Sequence, residues 1–272
     1  MSRLRIVLRK PGIIPKRLLY KLEFFLWSTG LYASGNCERL ERYRNHFKGR
    51  RVFLIGNGPS LASADLDTLH KYGEISFASN KIYLIYPQTP WRPTFYFAQD
   101  TPFAEKFHDL IFAQEEATQL VFPNIFFEQN LATAKSLRFI LKMWDSYPEL
   151  PKIGTSPAAF YYGGSVTYTM MQWAYYMGFK EIILLGVDAD YRTDIQDKNL
   201  KSMIVTDNLT THFIEDYYAP GEEHHPPNIK KQLSGYLSAQ KFFAGTDVSV
   251  VNATRGGKLD IFAKADFDSL FI

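Results

Sequence analysis

The chain has 272 residues, 46% of them hydrophobic and 16% aromatic, which is ample for a large core and excludes a globally disordered chain. A single cysteine, Cys37, excludes an internal disulfide framework and suits a reducing compartment, where it reads as a buried free thiol. The net charge of +3 hides an asymmetry: residues 1–51 hold 13 Lys/Arg against three acids, a balance of +10, and the rest hold 18 against 25, a balance of −7. Such a split describes a basic arm that meets an anionic surface, joined to a mildly acidic body.

Residues 1–48 read as that arm and residues 49–272 as one α/β domain. Within the arm, Ile14, Leu18, Leu19, Leu22, Phe25 and Leu26 fall on one helical arc, with Lys16 and Arg17 on the far side and Lys21 and Glu23 flanking it. A bulky apolar stripe with basic flanks describes a helix lying in a membrane interface, here the inner face of the cytoplasmic membrane. A helix packed on its own domain, or on a second copy in a homo-oligomer, has the same pattern. The segment is too short and too charged to span a bilayer, and charges interrupt the apolar run that a signal peptide needs. No nucleic-acid recognition motif accompanies the basic residues.

Residues 36–50 read as a charged helix. The run Val52-Phe53-Leu54-Ile55 then has the apolar, β-branched character of a buried parallel strand, and it breaks into Gly56-Asn57-Gly58-Pro59-Ser60. Two glycines permit a sharp turn and close backbone approach, Pro59 fixes φ, and Ser60 offers a hydroxyl. A strand that ends in a Gly-rich turn is where open α/β sheets hold nucleotide phosphates, and an ordinary tight turn has the same composition. The third glycine of G-x-G-x-x-G is missing, and no Gly-Lys-Ser/Thr follows.

Further along, residues 64–72 read as a helix, 74–79 as a strand, 94–98 as a third, 102–114 as a helix and 119–122 as a fourth strand. Residues 124–160 show no clean period. Gly163-Gly164-Ser165 precedes a buried helix over 166–177, and 181–186 is the clearest strand of all. Residues 192–228 form a long polar loop, of the kind that serves as a lid or binding loop. A helix over 229–244, a strand over 248–251 and the Gly-rich, basic run 252–259 complete the chain. Strands alternating with helices indicate a Rossmann-like, doubly wound, mostly parallel sheet.

Every suspicious polar residue follows a strand: Asn57 and Ser60, Asn80, Gln99 and Asp100, Asp188 and Tyr191. In a parallel sheet those ends share one edge, where ligands bind. Asn80 suits a base or ribose contact, or a turn. Asp188 and Asp190 form an Asp-x-Asp that fits a divalent ion on a diphosphate, a ribose contact or a structural cap. His212, His224 and His225 lie on the long loop after the Asp188 strand, where a neutral imidazole can take a proton from an acceptor hydroxyl. Arg255, Lys258 and Gly256-Gly257 suit an anionic ligand or a solvated turn. No Cys/His set has zinc spacing, and G-x-S-x-G is missing.

Gly56-Asn57-Gly58-Pro59-Ser60-Leu61, Ser79-Asn80-Lys81, Gly163-Gly164-Ser165-Val166-Thr167, Gly186-Val187-Asp188, Asp207-Asn208 before His212, and residues 252–259 together resemble a bacterial family of surface-polysaccharide cluster proteins. That family is similar to the archaeal 6-hydroxymethylpterin pyrophosphokinase and related to the flagellin-modifying motility accessory factor glycosyltransferases. The same steps occur in bacterial sialyltransferases of the Campylobacter type. The resemblance implies a glycosyltransferase that moves a sugar, an acidic ulosonic one among the candidates, from a CMP-linked donor to a surface glycan or glycolipid. Gly56, Asn57, Gly58, Pro59, Ser60 and Asn80 would then hold the nucleotide, with Asp100, Gly164 and Ser165 nearby. Tyr191 would stand by the leaving phosphate, next to Asp188, and His212 or His225 would be the base. A single-phosphate leaving group requires no metal. The alternatives are a Mg-ATP-dependent pyrophosphokinase acting on a pterin-like alcohol, with Asp188 or Asp100 on the metal, and a non-catalytic nucleotide-sugar-binding protein of a polysaccharide assembly complex.

Overall fold

Eight parallel strands form the centre of the molecule in a computed structural model that describes residues 16–31, 34–143, 150–189, 203–204, 212–214, 217–218, 223–224 and 228–272. The strands are β1 (Arg51–Ile55), β2 (Ser76–Ser79), β3 (Phe95–Phe97), β4 (Gln119–Pro123), β5 (Leu137–Phe139), β8 (Glu181–Leu185), β11 (Ser249–Asn252) and β12 (Ala263–Lys264). Two-residue pairs, β6 (Leu141–Lys142) with β7 (Phe160–Tyr161) and β9 (Met203–Ile204) with β10 (Glu223–His224), lie outside this sheet. The order across it is β12-β11-β8-β1-β2-β3-β4-β5, and every pairing is parallel. The chain therefore winds outward from β1 to β5, returns to lay β8 against the other side of β1, and winds outward again.

Alternate residues of these strands feed two apolar layers, as the two-residue period of a strand requires. Val52, Leu54, Phe77, Phe97, Ile182 and Leu184 face one layer. Its cover includes α1 (Lys16–Ser28), α2 (Gly35–Tyr43), α7 (Val166–Tyr176) and α8 (Ile229–Phe243). Phe53, Ile55, Tyr96, Phe122, Ile183 and Leu185 face the other, under α3 (Ser63–Lys71), a 3₁₀ segment (Asn80–Gln88), α4 (Thr101–Lys106), α5 (His108–Phe112) and α6 (Asn124–Glu128). The expected doubly wound α/β architecture is thus observed.

Three local expectations are corrected. The charged helix stops at Tyr43, because Asn45 turns into the left-handed region at φ +55°. The helix expected over 102–114 is two short ones, broken at Phe107 (φ −113°, ψ 22°). The stretch without a period hides β5, whose three residues are too few to show alternation.

The N-terminal arm includes the expected helix, α1. Phe24 is buried in the first apolar layer, Tyr20 meets Phe127 edge-on at 5.7 Å, and Glu23 pairs with the buried Arg138 at 3.2 Å. Arg138 also donates to Asn124 Oδ1 at 2.9 Å and stacks over Tyr20 and Phe127. Cys37 is fully buried beside Ser34 and Glu23, and burial pushes its thiol upward, opposed by the Ser34 hydrogen bond and helped by the Glu23 charge. Among the described residues, no helix is long and apolar enough to cross a membrane.

Candidate functional site

The sheet reverses its winding between β1 and β8, and open α/β sheets bind ligands outside the carboxyl ends of strands at such a point. The turns after these two strands, 56–60 and 186–189, interlock there. Gly58 N–H donates to Gly186 O at 2.9 Å, Gly56 N–H donates to Leu185 O at 2.8 Å, and Ser60 Oγ–H donates to Asp188 Oδ2 at 2.9 Å. The glycines serve this contact. A Cβ on Gly56 would lie 2.2 Å from Gly186 O, and one on Gly58 would lie 1.8 Å from Asp188 Oδ2. Their amides are spent on Leu185 O and Gly186 O, so neither glycine amide is left to cradle a phosphate.

The β8 turn is held from behind by the run expected to bind an anion. Thr254 Oγ1 accepts from Val187 N–H at 3.0 Å, and Lys258 N–H donates to Asp188 O at 2.7 Å. Gly257 packs on the Asp188 backbone. Arg255 binds both oxygens of Asp65 and also Asp268, and these bonds hold its guanidinium firmly protonated and the Asp268 carboxyl below its usual range. The anionic-ligand reading of Arg255 is therefore corrected: its fork is filled by two carboxylates of this chain. Ala189 sits at φ +50°, an unusual conformation for alanine, so the turn carries local strain.

Asn57 reaches across to β2. Its Nδ2 donates to Ser79 O at 3.1 Å, while its Oδ1 is buried and has no hydrogen-bond partner among the described residues. An orphaned buried acceptor is costly unless a ligand donor satisfies it. Asn80 follows at φ +54°, a conformation that asparagine tolerates, and its carbonyl accepts from Tyr96 Oη–H at 2.7 Å.

The described part of the long loop returns to this edge. Phe213 N–H donates to Asn57 O at 3.2 Å. His212, beside it, stacks on Tyr217 with centroids 3.8 Å apart and planes 8° apart, and meets Tyr218 edge-on at 5.2 Å. Lys81 anchors the same group from the sheet side. It is 5% exposed, donates from Nζ to Tyr217 O at 2.7 Å, and lies over the rings of Phe107, Tyr218 and Tyr217 at 4.5, 5.0 and 5.5 Å. The path Asn80, Lys81, Tyr217, His212, Phe213, Asn57 thus closes a circuit over the ends of β1 and β2. Phe107 also borders a surface hollow of about 470 Å³ lined by Lys106, His108, Leu110 and Leu131.

Other expected site residues have structural partners. Asp100 caps α4 by accepting from Phe103 N–H at 2.9 Å. Ser165 caps α7 by accepting from Tyr168 N–H at 3.2 Å. Gly164, at φ +87°, packs on the first turn of α8, where a Cβ would lie 2.6 Å from Gln232 N. The structure brings this capped end to the site edge, because Thr169 Oγ1–H donates to Gln99 Oε1 at 2.7 Å just past β3. Pro59 is exposed on the turn. Tyr191, Asp190 and His225 lie outside the described residues, as does the side chain of His224. Among the described residues, no three His, Cys, Asp or Glu side chains gather as a metal set. Lys81 has no role legible from the sequence alone; its signal there is a lone cation between Asn80 and the apolar run that starts at Ile82.

No curated protein matches the chain. The solved structure of MAf glycosyltransferase from Magnetospirillum magneticum AMB-1 is similar at 17% identity and a TM-score of 0.49, covering 85% of this chain and 38% of that one. This chain thus spans well under half the length of that structure. The family described as 6-hydroxymethylpterin diphosphokinase MptE-like matches residues 32–194, from before β1 to past the Asp188 turn. The matched span is more than half of the sequence and holds both interlocked turns, and the chain belongs to this MptE-like family.

Proposed function

We propose that the chain is a glycosyltransferase that moves a sugar from a nucleotide donor, CMP-linked by its resemblance to the sialyltransferases, to a hydroxyl of a glycan or glycolipid. One observation carries the reading: the Phe213–Asn57 bond and the Lys81–Tyr217 anchor hold an imidazole, His212, beside a strand-end turn with an unsatisfied buried acceptor. Asn57 Oδ1 accepts from the base or ribose, and Asn80 lies next along the edge. The neutral His212 takes the proton of the acceptor hydroxyl. The oxygen so freed bonds to the anomeric carbon as the bond from that carbon to the phosphate oxygen breaks, and the nucleoside monophosphate leaves with the electron pair. Tyr191 is the proposed partner of that phosphate, and His225 is the alternative base.

The family's description favours a second reading, diphosphate transfer from ATP to a pterin-like alcohol. That chemistry uses a divalent ion. The described carboxylates do not fit one as they stand, since Asp188 accepts from Ser60 and Asp100 caps α4.

Thermal-shift measurement against CMP, CDP, UDP, GDP and ATP, each with and without Mg²⁺, separates the readings. Metal-independent stabilisation by CMP is expected, worth about 2.7 kcal/mol at a hundredfold excess over Kd. Donor hydrolysis by His212→Ala should fall roughly 10²-fold or more. A response confined to ATP with Mg²⁺ would replace the first reading by the second. Silence to every nucleotide would leave neither standing.

A further inference from the structure

We propose that the face of α1 turned away from the domain is a docking surface for an anionic phospholipid bilayer. The helix carries two apolar faces. Tyr20, Glu23, Phe24 and Trp27 recur at the three- and four-residue steps of one side, and Phe24 on that side is buried in the first apolar layer. The apolar arc of Leu18, Leu22 and Phe25 recurs at the same steps on the opposite side. Leu18 is 56% exposed and Phe25 60%, although a helix that needed only to pack on its domain would carry polar residues there. Leu31, just past the helix end, is 71% exposed. The face consumed by folding is therefore not the arc that the sequence pattern selects: Leu18 and Phe25 of that arc stay exposed, with Leu19, Leu22 and Leu26 half-buried beside them.

Charge decides what covers it. Lys21 is exposed three residues from Leu18 and four from Phe25, so it borders the arc. Arg3, Arg5, Arg9 and Lys10 precede the helix in the sequence, and residues 1–51 carry a balance of +10. An apolar stripe bordered by excess positive charge is matched by a surface with a negative headgroup layer over hydrocarbon. A second copy of the same arm would bring like charges together. The inference does not depend on the reaction at the β1–β8 edge.

The full chain is sedimented with vesicles of pure phosphatidylcholine and with mixed phosphatidylcholine–phosphatidylglycerol vesicles, at low and high salt. Binding to the mixed vesicles alone, weakened by salt, is expected. Leu18→Ser combined with Phe25→Ser should lower partitioning roughly tenfold or more, with the melting temperature unchanged, because both side chains already face outward. Lys21→Glu, which leaves the apolar arc intact, should weaken binding to the anionic vesicles as well. Wild-type protein that ignores anionic vesicles, or variants that bind as wild type does, would overturn the proposal. A dimer in solution that the Leu18/Phe25 variant splits would overturn it in favour of contact between copies.

Discussion

A methyl group on Gly58 would land 1.8 Å from Asp188 Oδ2, far inside van der Waals contact. The same group on Gly56 would meet Gly186 O at 2.2 Å. The two clashes differ in kind, since one partner is a side chain and the other is backbone. Gly58→Ala should cost about 1–3 kcal/mol by overpacking. Adding Asp188→Ala should restore part of that, leaving the smaller conflict with Gly186 O at 2.8 Å. Gly56→Ala should be as harmful and gain nothing from Asp188→Ala. Chemical denaturation of the four proteins reads both effects; an Asp188→Ala change that rescues both glycine variants equally, or neither, would show that the turns do not interlock as described. A sequence displays the two glycines but not the strand that faces them. It therefore reveals that the backbone is approached closely, and leaves open whether a ligand or the chain itself does the approaching.

At the level of the element, α1 has two faces, and its periodic pattern marks only one of them. The apolar arc names one face, yet the domain takes the other, where a carboxylate sits. Glu23 flanks the apolar arc in the sequence, and its partner Arg138 comes 115 residues later. The pair is 8% and 11% exposed, and removing one partner strands the other away from water. Arg138→Met should cost about 3–5 kcal/mol, while Arg138→Met combined with Glu23→Leu should cost much less, since an apolar pair of similar volume needs no counter-charge. Urea unfolding of the two single variants and the double variant provides the cycle. Additive losses would mean that the two residues stabilise α1 separately. The parallel strands were far more legible than α1. Four or five consecutive apolar residues, as in β1 and β8, are buried on both faces and read almost without ambiguity. Strands of two or three residues, β12 and β5, exist because a neighbour supplies their hydrogen bonds, and no local pattern marks them.

Over the whole molecule, the sequence indicated that polar residues follow strands, while the pairing of β8 with β1 had to come from the fold. That one pairing brings the Gly56–Ser60 turn to Asp188, and β2 on the other side brings Ser79 to Asn57. The contribution hardest to foresee is Lys81. It is buried against three aromatic rings and a carbonyl, and it joins the sheet edge to the segment that bears His212. A desolvated cation over aromatic faces is worth about 2 kcal/mol or more, and its bond to a carbonyl adds to that. Lys81→Met keeps the stem and removes the charge. The Phe213 amide, bonded to Asn57 O, should then exchange its hydrogen roughly tenfold faster or more, while the β1 and β8 amides keep their protection. Lys81→Arg retains a cation of different shape and should fall between the two. Turnover should fall along with the Phe213 protection, whereas nucleotide binding through Asn57 should change little, so the loss appears in kcat more than in KM. If Phe213 stays protected in Lys81→Met, the His212 segment is held to the sheet by other contacts and Lys81 is only a filled corner of the core.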